Sequence, residues 1–202
     1  MADTTPYRRS NLREALLDRA MIVLGHRGAE ALSLRELARD LGVSHAAPAR
    51  HFADRQRLLQ ALAVEGFHQL AEEISRAIAS TPELQGQARR VAGAYVAFGI
   101  EKPNLVDVMF RHESEDGEGV IGASAAKTFE PLLQLFRDAE HDGVVPAGEA
   151  EVTATVFLAA LQGIAALVNC GVVSPDTVPH LVDNAVPRFI ASPDDNGRAV
   201  RS

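Results

Sequence analysis

The chain has 202 residues, of which 47% are hydrophobic and 23% are charged, and its formal net charge is −7. This length is enough for one or two domains with a sizeable core. The single cysteine excludes an internal disulfide, and the N-terminus lacks the apolar segment of a secretory leader, so we expect a cytoplasmic protein. The longest apolar stretch, 152–168, contains Gln162 and Gly163, which favours a buried helix over a membrane span.

Charge is distributed unevenly along the sequence. Residues 1–60 carry a net charge of +3, whereas residues 61–202 carry −10. A mildly basic N-terminal part can approach a polyanion even when it is joined to an acidic body, because physiological salt screens charges beyond about 8 Å. The acidic total therefore does not exclude binding to DNA.

Helices are predicted along the whole chain, because alanine and leucine dominate and runs of β-branched residues are scarce. We expect an all-α protein of about nine helices. A polar arm that contains Arg8 and Arg9 is predicted to precede the first helix, which extends from Ser10 or Asn11 to about His26.

The next segment has the pattern of a helix-turn-helix. Ser33 and Glu36 match a capping box, and an apolar stripe at helical spacing follows them. Gly42 is suited to end this helix, and Ser44 is suited to cap a second helix that begins at His45. The two helices are then expected to pack against the first helix of the chain.

One face of that second helix suits the major groove of DNA, since its side chains are short or polar and include basic groups for phosphates. These side chains are Ser44, His45, Ala46, Ala49 and Arg50. Pro48 removes a backbone donor within the helix, next to its cap. Asp54 is predicted to cap a third helix, and a phosphate is the expected partner of Arg55 in its first turn, because a cation there opposes the helix dipole.

This part of the chain resembles the N-terminal domain of the TetR family of transcriptional regulators. The matching residues occur in order and without gaps: Ser33-Leu34-Arg35-Glu36-Leu37-Ala38, Leu41-Gly42-Val43-Ser44, His51-Phe52-Ala53-Asp54-Arg55 and Leu58-Leu59. The resemblance implies a three-helix DNA-binding domain attached to a larger helical domain that binds a ligand and forms a dimer.

The resemblance also implies roles for individual residues. His45 and its neighbours are expected to face bases, and Ser33, His51 and Arg55 to touch phosphates, with Arg35 in the same DNA-binding set. At Ala49 the family usually has a tyrosine. This departure motivates an alternative function, a ligand-binding or partner-binding module with weakened DNA binding.

The rest of the chain is predicted as a body of long helices. We place the DNA-binding domain with its arm at 1–53, the ligand-binding and dimerisation domain at 54–191, and a disordered tail at 192–202. The body begins with a linking helix at 54–80, which at about 25 residues would span nearly 40 Å. The helices expected after it lie at about 88–101, 104–112, 123–141, 149–169 and 176–191, the last interrupted by Pro179 and Pro187.

The segment from Tyr95 to Phe110 resembles the C-terminal domain of a TetR subgroup named for a Trp, a His and a Gly on a later helix. The positions that match these three are Leu158, Gln162 and Gly163, so only the glycine is present. Residues 113–122 are acidic and Gly-rich and are interpreted as a loop. Their carboxylates and His112 lack the spacing of a metal site, and we predict neither a metal nor a cofactor.

The helix predicted at 149–169 is apolar on more than one face, more than the remaining helices of one copy can cover. We therefore predict a homodimer formed through the helices at about 123–141 and 149–169. The resemblance implies a ligand cavity in the body, and the residues expected to line it are Tyr95, Phe98, Asn104, Met109, Phe110, His112, Phe129, Phe157 and Gln162. The alternative is that these aromatic and Met residues form plain core.

The function that these features predict is a ligand-responsive DNA-binding transcriptional regulator. We expect a repressor that binds a palindromic operator as a homodimer and is released by a small molecule. The opposing hypothesis is an enzyme that uses His112 with nearby acids or Cys170 with a histidine. The sequence has no nucleophile elbow, phosphate loop, paired catalytic carboxylates or metal-binding helix to support it.

Overall fold

The computed structural model describes residues 12–116 and 119–190, without the side chains of 112–118, and these residues contain no β-strand. The all-α prediction is confirmed. The described α-helices are α1 Leu12–Arg27, α2 Leu34–Asp40, α3 Arg55–Ala79, α4 Leu84–Glu101, α5 Pro103–Asp116, α6 Val120–His141, α7 Ala150–Asn169 and α8 Val178–Phe189. Short 3₁₀ helices occur at Ala29–Ala31, Pro48–Arg50 and Pro175–Thr177. The predicted N-terminal arm and C-terminal tail lie outside the described residues.

Several helix boundaries differ from those predicted. The expected loop at 113–122 was wrong in part, because α5 continues to Asp116 and α6 begins at Val120. The interruption expected in the last helix was also wrong. Pro179 lies in the first turn of α8, where its missing N–H group is not needed, and Pro187 comes two residues before the helix ends.

The described residues divide into two compact units, of which the first comprises 12–66 and, with the gap noted above, 104–122. Its core contains fully buried side chains from α1, α2, α3 and α5: Leu16, Leu24, Leu37, Leu58, Leu62 and Met109. The amide of Asn104, in the first turn of α5, donates to the carbonyl oxygens of Leu24 at 3.0 Å and Gly25 at 3.2 Å. This side chain therefore satisfies backbone acceptors near the end of α1.

The second unit comprises 67–103 and 123–190, and in it α4 packs against both α7 and α8. A Cβ atom placed on Gly99 of α4 would lie 2.9 Å from the Cβ atom of Ala165 on α7, so the two helices pack closely at this point. The amide of Asn169 donates to the carbonyl oxygen of Gly99 at 3.0 Å. The long helix α3 begins in the first unit and continues into the second.

Candidate nucleic-acid interface and ligand site

The first helix of the predicted helix-turn-helix forms as expected. The Ser33 hydroxyl accepts a hydrogen bond from the Glu36 N–H group at 3.5 Å, which confirms the predicted cap. At the other end, Gly42 adopts a positive φ of 66°, and the Val43 N–H group donates to the Ala38 carbonyl at 3.0 Å. This is a Schellman ending, which turns the chain sharply after α2.

The second helix of the motif differs from the prediction, which placed a helix from His45 onward. Residues 45–46 form a turn, and only Pro48–Arg50 are helical, in the 3₁₀ form. Pro48 has no N–H group to donate to the Ser44 carbonyl four residues earlier, and that carbonyl instead accepts from the Ala47 N–H group at 2.9 Å. The missing donor explains why the segment is wound more tightly than an α-helix.

This recognition segment, 44–51, nevertheless presents the predicted side chains to solvent. Six of its residues are exposed: Ser44, His45, Ala46, Ala49, Arg50 and His51. Pro48 and the adjacent Phe52 are buried, and the Arg13 guanidinium lies over the Phe52 ring at 5.3 Å. Pro48 is thus a core residue that the sequence pattern did not reveal, since the prediction treated it only as a helix irregularity.

The Arg55 side chain has partners within its own chain that the sequence did not predict. Its guanidinium donates to the Ala29 carbonyl at 2.8 Å and lies 3.5 Å from the Glu30 carboxylate. Asp54 accepts from the Arg57 N–H group at 2.8 Å, which confirms the predicted cap of α3. The Arg55 side chain therefore ties the start of α3 to the 3₁₀ turn after α1.

The basic side chains of the first unit differ in their availability to phosphates. Arg19 pairs with Asp40 at 2.8 Å, and Arg39 lies 4.0 Å from Glu36. Arg35 and Arg50 are exposed and have no ion-pair partner within the described part of the chain. These two are the cations of the predicted DNA-binding set that can bind a phosphate without first losing a carboxylate.

Three of the predicted ligand-site residues come together in the second unit. The Tyr95 hydroxyl donates to the Gln162 side-chain carbonyl at 2.7 Å, and the Tyr95 and Phe129 ring centroids are 6.5 Å apart. Burial raises the pKa of Tyr95 well above its usual value, because the phenolate form would lose its hydration. Phe129 also lines an open groove of about 340 Å³ between α6 and α7.

The other predicted ligand residues lie elsewhere. Phe157 is fully buried and packs against Phe136 and Phe189, with ring centroids 5.3 and 5.2 Å apart. The Lys102 ammonium lies over the Phe98 ring, 4.8 Å from its centroid. Asn104, buried Met109 and half-buried Phe110 belong to the first unit. The side chain of His112 is not among those described.

One face of α7 is apolar and exposed. Val152, Val156 and Leu167 are 58%, 51% and 43% exposed, and Gly163 lies between them on the same side of the helix. By length and composition α7 is the one described helix able to cross a membrane, and only 28% of its most apolar 18-residue stretch is buried. The opposite face of α7 packs against α4. This helix, which the sequence predicted to be buried, therefore keeps one face exposed.

Comparison with known proteins connects both units to one family. The model of bacterial regulatory proteins of the TetR family matches residues 16–62, and the model of the tetracyclin repressor-like C-terminal domain matches residues 88–188. The nucleoid occlusion factor SlmA of Enterobacter sp. (strain 638) is 24% identical over 169 residues, which are 81% of this chain and 85% of that protein.

Solved structures share the fold. A protein of unknown function from Rhodococcus sp. RHA1 is 34% identical, with a TM-score of 0.84 over 93% of this chain and 100% of that one. AibR, solved in complex with isovaleryl coenzyme A and operator DNA, is 19% identical, with a TM-score of 0.66 over 88% of this chain and 97% of that one. At this identity the second likeness establishes a common fold alone.

Proposed function

The chain belongs to the TetR family of bacterial regulatory proteins, a family of DNA-binding regulators, and we propose that it is a cytoplasmic repressor that binds a palindromic operator as a homodimer and is released by a small molecule. The observation that carries the proposal is the recognition segment. It follows a capped helix and a Schellman turn, and it exposes His45, Arg50 and His51 together.

Within this proposal the exposed side chains have distinct roles. His45 lies at the start of the segment and reads base edges, where a ring nitrogen can donate or accept a hydrogen bond. Arg50 and Arg35 bind phosphates, which positions the segment but does not distinguish sequences. Arg55 acts mainly by holding the start of α3 against the Ala29 carbonyl, and its contact with DNA is secondary.

The apolar face of α7 supports the homodimer. An exposed stripe that contains Val152, Val156 and Leu167 loses contact with water when a second copy covers it. The hydrogen bonds that Gln162 and Asn169 make to α4 favour a partner-covered helix over a membrane span, because they fix α7 to its own unit. We propose α7 as the centre of the interface, with α6 beside it. Two-fold symmetry then pairs two recognition segments with half-sites about 34 to 36 Å apart.

The group formed by Tyr95, Phe129 and Gln162 supports the effector part of the proposal. It combines aromatic surface with a polar pair, and Phe129 opens onto the α6–α7 groove. The Phe129 ring also meets Phe67 on α3, with centroids 6.3 Å apart. A molecule bound against Phe129 therefore acts next to the helix that continues into the DNA-binding unit. It shifts the equilibrium between the DNA-binding state and the released state by its differential affinity for these two states.

The test is selection of bound duplexes from a random pool, followed by titration of the selected duplex at two salt concentrations. We expect a palindrome whose affinity falls steeply with salt. Arg50→Ala is expected to weaken binding to all sequences alike and to reduce the salt slope by about 1, whereas His45→Ala changes the selected sequence. Arg76→Ala, which removes an exposed arginine from the second unit, is the matched control. Selection of no sequence by the wild-type protein would contradict the proposal.

A second candidate is a partner-binding or ligand-binding module with weakened DNA affinity. Two observations favour it: the recognition segment is a turn with a single 3₁₀ helix, and Ala49 stands where the family usually has tyrosine. Ala49→Tyr distinguishes the candidates, because Ala49 is exposed and a larger side chain has room. A rise in DNA affinity of about tenfold or more would favour the weakened module, and unchanged affinity would favour the repressor as it stands.

A further inference from the structure

The second unit has a basic groove between α4 and α8, which we call the arginine groove. It has a volume of about 620 Å³, and its walls include Thr81, Arg89, Arg90 and Gly93 from the α4 side and Val182 and Asp183 from α8. A groove of this size accommodates a small organic molecule. It is separate from the group formed by Tyr95, Phe129 and Gln162, none of which lines it.

Two adjacent arginines give the groove its charge. The Arg89 Nε atom lies 2.8 Å from a carboxylate oxygen of Asp183, which fixes that guanidinium across the groove and leaves its other donors available. Arg90 lines the same groove, is exposed, and has no hydrogen-bond or ion-pair partner in the described part of the chain. The groove thus carries two cations and one anion on a protein whose residues 61–202 total −10.

Apart from Thr81, the rest of the lining is apolar. A Cβ atom on Gly93 would meet no atom within 4 Å, so the groove is unobstructed one turn beyond the arginines. Ala94 continues this wall, and Val178 and Val182 face it from α8. The lining therefore changes from charged to apolar within about one turn of α4, roughly 5 to 6 Å, which a short alkyl chain can span.

We propose that the arginine groove binds a carboxylate with an apolar chain. The carboxylate accepts hydrogen bonds from Arg90 and from the free donors of Arg89, since planar guanidinium groups suit planar carboxylates. The chain lies along Gly93, Ala94 and Val182. Asp183 competes with the ligand carboxylate for Arg89, so its charge weakens binding. This inference rests on the groove alone and does not depend on the proposed DNA-binding function.

The experiment is calorimetric titration of the full chain with decanoate below its micellar concentration and without DNA. We expect one saturable site. Arg90→Gln should weaken binding by about tenfold, because it removes a charge-assisted contact, and Asp183→Asn should strengthen binding by about threefold, because it removes the competitor. Arg89 and Asp183 are 46% and 57% exposed, so loss of their pair should leave the fold intact.

The matched control is Lys127→Gln, which removes the same charge from the separate groove between α3 and α6 and should leave the affinity for decanoate unchanged. Decanol and inorganic phosphate supply the chain and the anion separately, and each should bind at least tenfold more weakly than decanoate. The proposal is overturned if decanoate does not bind, if decanol or phosphate binds as tightly, if Arg90→Gln binds normally, or if Asp183→Asn weakens binding.

Discussion

At the scale of single residues, the contact between Gly99 and Ala165 leaves no room for one additional carbon atom. The Cβ atom of Ala165 is fixed to its backbone, so it cannot move aside as the end of a flexible side chain can. Gly99→Ala therefore requires α4 and α7 to separate, and we expect it to lower the free energy of unfolding by about 1 to 3 kcal/mol in urea titrations.

Gly25→Ala is the control for this substitution, since Gly25 also lies in a helix and a Cβ atom there meets nothing within 4 Å. It should be neutral or should stabilise the protein by up to about 1 kcal/mol, as alanine favours helices. Adding Ala165→Gly to Gly99→Ala should recover part of the lost stability. If Gly99→Ala is as stable as the wild type, the close approach of the helices is wrong.

The buried phenol of Tyr95 is expected to resist ionisation at high pH. The chain has two tyrosines, so in a Tyr7→Phe variant Tyr95 alone reports ionisation in absorbance at 295 nm. Burial raises the pKa of Tyr95, and the folded variant should show no increase near pH 10, whereas the same variant in urea should ionise near pH 10.

Because its pKa is raised by burial, Tyr95 makes the stability of the fold depend on pH. Burial of neutral Tyr95 is compatible with folding at every pH below about 10, where the phenol of the unfolded chain is also neutral. Above that pH the unfolded chain loses a proton that the folded chain retains, so stability falls as pH rises. The additional loss above pH 10 should disappear in a Tyr7→Phe, Tyr95→Phe variant.

At the scale of elements, the recognition segment owes its conformation to one residue. Pro48→Ala gives position 48 an N–H group, which can donate to the Ser44 carbonyl and extend the 3₁₀ turn into an α-helix. We expect ¹³Cα chemical shifts of residues 45–51 to move toward helical values. Stability should decrease modestly, because the Pro48 ring is buried.

Pro82→Ala is the matched control, because Pro82 is an exposed proline between α3 and α4. It should leave the shifts of residues 45–51 unchanged. If Pro48→Ala also leaves them unchanged, the tight conformation originates in packing around the segment, and the missing donor is not its cause.

At the scale of the whole molecule, the exposed face of α7 sets the expected assembly. Val156→Glu places a charge on that face and should convert the proposed dimer to a monomer in sedimentation experiments at micromolar concentration. Ile22→Glu is a close control, since Ile22 and Val156 are both 51% exposed but Ile22 lies on α1. Retention of the dimer by Val156→Glu, or its loss in Ile22→Glu, would place the interface elsewhere.

The sequence alone determined the features that depend on neighbouring residues. The all-α class, the Ser33 and Asp54 caps and the turn at Gly42 were predictable, because each depends on side chains and backbone groups within one or two helical turns. The ordered match from Ser33 to Leu59 also identified the family, which the comparisons confirmed.

Only the tertiary structure decided which distant groups meet. The Asn104 amide bonds to the carbonyl oxygen of Leu24, 80 positions earlier, whereas the sequence predicts a ligand contact for it. Arg55 bonds to the carbonyl oxygen of Ala29, 26 positions earlier, whereas the sequence predicts a phosphate contact. A polar side chain at helical spacing is compatible with solvent, with a ligand or with a carbonyl of another helix, and the local pattern is the same in all three cases. The packing of helices selects among them, because it determines which backbone acceptors come within reach.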